Sequence, residues 1–510
     1  MSINIRPEPA TGDGERPADS ARTLDAVWVA LFATFFSAAG AARPSLWFDE
    51  AATISASTRS VPDLWRMVAN IDAVHGLYYF VMHGWFTVFP ATEFWSRLSS
   101  LLAVGLAAAG VVVLARQLST RAVATTAGVV FALLPRVTWA GLETRSYALA
   151  MAAAVWVTVL CLSAIRRDRP RRWLGYAAVM VTATLLNVFL ILLLPIHAVM
   201  MAVVADTRRV RWHWAVAAST AGAVAAPFLW FTQSQLFQVG WISPPDGRTV
   251  GMILREQYFD DSLPVAALSG LLIAAGVLSW SRAGQRSRRL VITLAWMAIP
   301  TVTLLAYSVL RHPVYYPRYL SFTAPAAALL IGLCVVAIGK SRARITTVLT
   351  LFALAATPNY LVQRGPYAKE GMDYSQVADV ITRHAAPGDC LVMDNSTAWK
   401  PGPIRPLMAA RPAAFTKLHD YGRGPSAVQR NWLWEAHIAV WTWADKMPDC
   451  PAIWTVSERD KTLPDHQQGA LLQAGPRLGR AMAYQVPSRF GFRIVERWQF
   501  NFAQVTKSIR

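Results

Sequence analysis

The sequence predicts a polytopic α-helical membrane protein of about eleven transmembrane helices, ending in a small extracytoplasmic α/β domain. Three observations predict it. Apolar runs long enough to cross a bilayer recur through residues 26–361. Lys and Arg gather in alternate loops between those runs. From Arg364 onward the pattern changes to that of a soluble domain. Composition agrees: of 510 residues 54% are hydrophobic, mean hydropathy is positive, and only 15% are charged, against about 25% in a soluble domain.

The first 25 residues are polar, with Pro, Gly and mixed charge, and are expected to be a disordered cytoplasmic N-terminus. The first apolar run, 26–42, ends in small residues (Ser37–Ala42) that mimic a signal-peptidase site. An acidic loop follows directly, so the run is expected to stay as the first span. Further spans are expected near 98–115, 122–135, 146–165, 173–186, 188–205, 213–231, 263–281, 290–308, 320–339 and 345–361. The basic loops on either side of 173–205 require an even number of crossings between them. A turn near Asn187 supplies it.

Orientation follows from the basic residues alone. Loops at Arg116–Arg121, Arg166–Arg172, Arg208–Arg211, Arg282–Arg289 and Lys340–Arg344 carry 17 basic and 2 acidic residues, counting Asp206. The opposite loops (43–97, 136–145, 232–262, 309–319) carry 10 of each. The first set is expected in the cytoplasm, with the tail from about residue 362 outside. Most of the net charge of +19 is then topology-setting loop charge facing anionic lipid, and nucleic acid is not an expected partner. No Asp, Glu, Lys or Arg falls within the assigned spans, which speaks against an ion relay at mid-bilayer.

The ionisable residues that suggest chemistry all fall on the outer side. The loop 43–97 opens Trp47-Phe48-Asp49-Glu50 and continues through an amphipathic stretch, Val61–Ile71, with Leu64, Trp65, Val68 and Ile71 at helical spacing. Asp72, His75, Tyr78 and Tyr79 follow. A carboxylate sheltered from water can be tuned as a base. The plainer reading makes Asp49 and Glu50 helix-start acids. In the second loop Glu143, Arg145 and Tyr147 stand at the top of a span, as a rim salt bridge or with Arg145 on a phosphate oxygen. Arg311, His312, Tyr315, Tyr316, Arg318 and Tyr319 form a cationic aromatic patch, suited to a lipid phosphate or to interfacial anchoring. The loop 232–262 offers Gln233, Gln235, Gln238, Trp241, Asp246 and Arg255 with no role assigned.

In the tail, Asp373–His384 is expected to be a helix, Cys390–Met393 and Ala452–Val456 strands, Gln467–Ala474 helical, and Phe492–Val505 one or two strands. Seven tryptophans (399, 432, 434, 441, 443, 454, 498) are expected mainly in core and interfaces. Cys390 and Cys450 share a compartment where a disulfide can persist; spacing alone leaves that pairing open. Cys161 and Cys334 lie in apolar spans.

Four pieces in this order resemble the GT-C superfamily of polytopic glycosyltransferases, nearest to protein O-mannosyltransferases and aminoarabinose lipid A transferases. They are Trp47 to Glu50, Asp72 to Tyr79, Glu143 to Tyr147, and Arg318 to Leu320. The resemblance covers about residues 26–340. Many relatives carry Pro-Pro after the histidine, where this chain has Gly76-Leu77. The resemblance implies a GT-C-like transmembrane domain over 26–361 and a donor sugar, mannose favoured, on a polyprenyl phosphate. The acceptor would be a lipid, glycan or protein of the cell envelope. It implies Asp49 as the base that deprotonates the acceptor hydroxyl, with inversion, and Glu50 beside it as a second catalytic residue that would support Asp49 or bind the acceptor. Asp72, His75, Tyr79, Glu143, Tyr147, Tyr316 and Tyr319 would bind substrate. Arg318, with Arg145 and Arg311, would stabilise the leaving phosphate. No metal is required by such chemistry; a divalent metal on Asp49, Glu50 and Asp72 is compatible with it. Two other classes stay open: a lipid-linked sugar transporter or flippase, and a non-catalytic envelope scaffold of the same fold.

Overall fold

A computed structural model describes residues 17–282, 288–395 and 405–510. Helix α1 (Pro17–Ala38) opens it. The expectation of disorder is therefore corrected for residues 17–25, while 1–16 lie outside the described residues. Asp25 is the physical reason: it pairs with Arg116 and Arg121, both at 2.7 Å, so the start of the chain is tied to the next loop.

The loop 43–97 is itself helical: α2 (Phe48–Ser57), α3 (Val61–Asn70) and α4 (Gly76–Phe86). In α3 the buried face is Leu64, Met67 and Val68, whereas Trp65 is exposed. Leu64, Val68 and Ile71 of the expected stripe are buried, and Trp65 alone is off it, because it follows Leu64 by about 100° around the helix.

Then come α5 (Glu93–Leu118), α6 (Arg121–Leu133), α7 (Pro135–Gly141) and α8 (Tyr147–Arg166). Further helices are Pro170–Leu186, Leu193–Val204, Arg208–Gln233, Leu263–Arg282, Arg288–Leu310, Ala324–Gly339 and Arg342–Val362. Each expected span contains a helix. Seven of the described helices are long and apolar enough to cross a membrane, and α6 with α7, bent by 61°, would make an eighth. Length and apolarity therefore do not reach the expected eleven. Pro135 breaks α6 from α7, since its ring cannot continue the hydrogen-bond ladder. Asn187 ends Pro170–Leu186, its side chain accepting the Phe189 N–H at 3.1 Å. Thr23–Ala38 and Val188–Val204 are shorter apolar helices.

The spans pack through small residues, as expected where lipid removes the hydrophobic drive between helices. A Cβ on Gly332 would sit 2.8 Å from the Ala127 Cα, so Ala324–Gly339 and α6 touch backbone to backbone. Gly332→Val should therefore destabilise the helical domain by about 1–3 kcal/mol. A thermal melt in detergent checks this, and an unchanged midpoint would refute the close packing.

Beyond Val362 the chain forms a helix, Tyr374–His384, and a mixed five-stranded sheet. The strands are β1 (Cys390–Met393), β2 (Ile453–Glu458), β3 (His466–Gln468), β4 (Arg493–Gln499) and β5 (Ala503–Ile509), in the order β1-β2-β5-β4-β3. Only β1–β2 is parallel. The helix expected over Gln467–Ala474 is corrected: the polar His466–Gln468 segment pairs with β4, Trp498 opposite His466, and this pairing overrides local propensity. Phe492–Val505 holds two strands joined in a hairpin. Cys390 and Cys450 are joined by a disulfide. Trp454 stacks on Trp498 at 5.7 Å; Trp399 lies outside the described residues.

One apolar core joins the two parts. Leu46, Ala51 and Ile54 around α2 are buried together with Val377, Ile381, Leu391, Trp454 and Val505. The helix that carries Asp49 is thus packed into the core of the C-terminal sheet.

Candidate active site

Successive residues of a helix point about 100° apart, so the neighbouring acids of α2 face different surroundings. Asp49, 14% exposed at its side chain, lies between two guanidinium groups: Arg145 Nη2 at 3.4 Å from one oxygen and Arg318 Nη2 at 3.5 Å from the other. Glu50 turns inward and is fully buried. Arg97 grips it at two points, 2.8 and 2.6 Å, and it also accepts the Thr144 N–H at 3.1 Å. The expectation of Glu50 as a second catalytic residue is corrected accordingly. Its acceptor positions are spent on holding α5 and the α7–α8 turn to α2.

Asp72 adopts left-handed backbone (φ 65°), which an aspartate tolerates better than most residues. It is buried and accepts from the Tyr79 hydroxyl. That hydroxyl in turn accepts from Arg145 Nη1 at 2.7 Å. Arg145 is thereby fixed between Asp49 and the Asp72–Tyr79 pair. The Gln238 amide, turned with its nitrogen toward the carboxylate, donates to Asp72 Oδ1 at 2.8 Å. Gln235 accepts the Ala73 N–H at 2.8 Å. The 232–262 loop thus shapes the site through residues whose roles the sequence left unassigned.

Arg318 is boxed by aromatic faces: Tyr316 at 4.9 Å, Trp47 at 5.3 Å and Trp241 at 5.6 Å. Such cation–π contacts hold a guanidinium without using its N–H groups. Tyr319 stacks on Phe189 and lies 6.0 Å from Tyr316. Tyr147 is buried, its ring 5.5 Å from Trp139. His75 is half-buried, 5.9 Å from the Tyr79 ring.

Two expected substrate contacts do not join this group. Glu143 is fully buried, bonded to Lys369 at 2.6 Å and to the Trp47 indole N–H at 2.6 Å. Its carboxylate is taken up by Trp47 and Lys369, so its expected place on the substrate is corrected. Arg311 is exposed and makes none of the contacts that join the group, because it directly follows the last residue of the helix Arg288–Leu310, while Arg318 folds inward in the turn Pro317–Thr323. Of the residues that sequence reasoning missed, Arg97 carried a signal: a basic residue at the start of a span on the acidic side. Lys369 carried none.

The electrostatics favour an ionised Asp49. Burial pushes its carboxyl up, but the charges of Arg145 and then Arg318 outweigh this and hold it below the usual carboxylate value. Burial, followed by Arg145, holds His75 down to about 4, so its imidazole is neutral at neutral pH. Burial raises Tyr79, which stays a phenol. Among the buried atoms without a hydrogen-bond partner are Arg145 Nε, Arg318 Nε and His75 Nδ1. Unpaired buried donors are costly, and two guanidinium groups that flank Asp49, each with an unpartnered Nε–H, suit a multi-oxygen anion. The expected metal set does not fit. Glu50 is turned onto Arg97, and Asp49 and Asp72 each face Arg145. Among the described residues no group of three or more His, Cys, Asp or Glu is placed to hold a metal ion.

Neither a family model nor a curated protein matches the sequence. Solved structures do. The fold is similar to that of ArnT from Cupriavidus metallidurans in the apo state, with a TM-score of 0.59 at 15% identity, covering 96% of this chain and 98% of that one. The same protein bound to undecaprenyl phosphate matches with a TM-score of 0.57 at 15% identity, over 96% and 98% of the two chains. The likeness runs through the helices and the C-terminal sheet alike. This chain therefore has the GT-C-like fold expected from its motifs; at this identity the likeness speaks for the fold alone.

Proposed function

We propose that this chain is a membrane glycosyltransferase that moves a sugar from a polyprenyl-phosphate donor to a hydroxyl of a cell-envelope acceptor on the extracytoplasmic side. One observation carries the reading: an ionised, partly exposed Asp49 lies between two arginines, each with a buried N–H that has no partner. The ArnT likeness supports it, since that protein has been seen with undecaprenyl phosphate bound on the same fold.

In this reading Arg318 and Arg145 hold the donor phosphate, and Asp49 takes the proton of the acceptor hydroxyl. The hydroxyl oxygen attacks the anomeric carbon as the bond to the phosphate oxygen breaks. The electron pair leaves with the phosphate, and attack from the opposite face inverts the configuration. The arginines stabilise the charge that grows there, a contribution commonly worth several kcal/mol when the donors are pre-placed. A bound phosphate also shares their positive charge, which raises Asp49 toward a more useful basicity. Asp72, Tyr79 and Gln238 act through Arg145, as positioning residues. The C-terminal sheet and the first loop form one extracytoplasmic unit over the helices.

The test is transfer by purified protein in lipid, from radiolabelled polyprenyl-phosphate mannose first and a pentose-bearing donor second, to an envelope lipid extract. Label should move from a lipid-linked donor and not from a nucleotide sugar. Transfer from the nucleotide sugar alone would overturn the donor class.

A further inference from the structure

Helix α2 has acids in its first turn but no side-chain cap. Its N-cap is Trp47, which makes no side-chain capping bond, whereas α3 is capped by the Ser60 side chain. An uncapped short helix is marginal by itself. Beside the contacts that Glu50 makes with Arg97 and Thr144, the entry to α2 is held by a residue over three hundred positions away. The Ser375 hydroxyl accepts the buried Leu46 N–H at 3.0 Å and donates to Glu93 Oε1 at 2.5 Å. The Ser375 N–H donates to Ser45 Oγ at 3.0 Å, and the Ser45 N–H to the Pro366 carbonyl at 2.9 Å. Glu93 is anchored in turn by Arg411 of the sheet region at 2.5 Å. Ser45, Leu46 and Ser375 are all buried, so water cannot replace these bonds. Asp49 stands one helical turn beyond Ser45 in the chain.

We propose that Ser375 is a positioning residue for Asp49: the C-terminal domain sets the register and tilt of α2 through the Ser45–Leu46–Ser375–Glu93 clamp. The inference rests on the reading of Asp49 as the base. It has a consequence that a general packing role lacks. Arg145 lies in the α7–α8 turn and Arg318 in the turn Pro317–Thr323, and neither is held by the clamp. Loosening the clamp moves the base and leaves the phosphate anchors in place. Turnover and phosphate affinity should therefore separate.

The experiment uses the full chain in nanodiscs, as wild type, Ser375→Ala and Ser375→Thr. Three quantities are measured: sugar transfer, affinity for undecaprenyl phosphate, and amide hydrogen exchange. Ser375→Ala should lower turnover by about tenfold or more, since displacement of a catalytic group by an ångström is that costly. Its affinity for undecaprenyl phosphate should stay within about twofold, the pattern of a group that acts only in the transition state. Exchange should rise across 47–57 and not across 324–339. Ser375→Thr keeps the hydroxyl and should return turnover and exchange to the wild-type values. Unchanged turnover in Ser375→Ala, equal loss of turnover and affinity, or a threonine variant no better than alanine would each overturn the proposal. If the wild type transfers no sugar from any lipid-linked donor, the functional reading fails. The clamp is then judged by exchange alone, and exchange unchanged in 47–57 would overturn it.

Discussion

Asp49→Asn should abolish sugar transfer while leaving donor-phosphate binding intact. Positioned general bases contribute about 10²- to 10⁴-fold, and asparagine matches the shape of aspartate without accepting a proton. The change also removes the charge that Arg145 and Arg318 share at 3.4 and 3.5 Å. Both guanidinium groups then have more positive charge to offer an anion, so undecaprenyl phosphate should bind as well as before or more tightly. This pairing of lost turnover with preserved affinity separates a lost base from a lost fold. Transfer and binding are measured on the same purified sample. Equal transfer by wild type and variant would remove Asp49 as the base and bring Asp72 forward.

The second large effect is expected at Arg318. Its guanidinium is enclosed by Trp47, Trp241 and Tyr316, with Nε unpaired. Arg318→Gln removes a charge-assisted contact to phosphate, worth about 1.5–3 kcal/mol, so affinity for undecaprenyl phosphate should fall by roughly ten- to more than a hundred-fold. Arg318→Lys keeps a charge but loses the planar face that fits the aromatic box, and should recover only part of the loss. Turnover should fall with affinity, opposite to the Asp49→Asn pattern. Binding by Arg318→Gln as tight as wild type would mean that the anion, if one binds, rests on Arg145 alone.

The candidate site was legible in part. Asp49, Asp72, Tyr79, Arg145 and Arg318 stand close to four short motifs, and the structure brings these five side chains into one connected group. Glu50 shows where the sequence misleads. Adjacent in the chain, it is turned away by helix geometry and consumed by Arg97. Glu143 reads like a rim acid, yet a lysine from beyond the last span buries it. Arg311 and Arg318 look equivalent in sequence, and only the turn at Pro317 separates them.

By itself the sequence determined the features that local chemistry dictates. Apolar length set the helical segments, alternate basic loops set the expected sides, and strand periodicity set most of the C-terminal sheet. These signals are local because solvation acts on each segment where it stands. The tertiary structure decided which charges meet. The clamp at Ser375, the support of Trp47 by Glu143 and Lys369, and the grip of Gln238 on Asp72 join residues far apart in the chain. A buried charge or N–H finds its partner only where the packed fold delivers one, and no local pattern along the chain records that meeting.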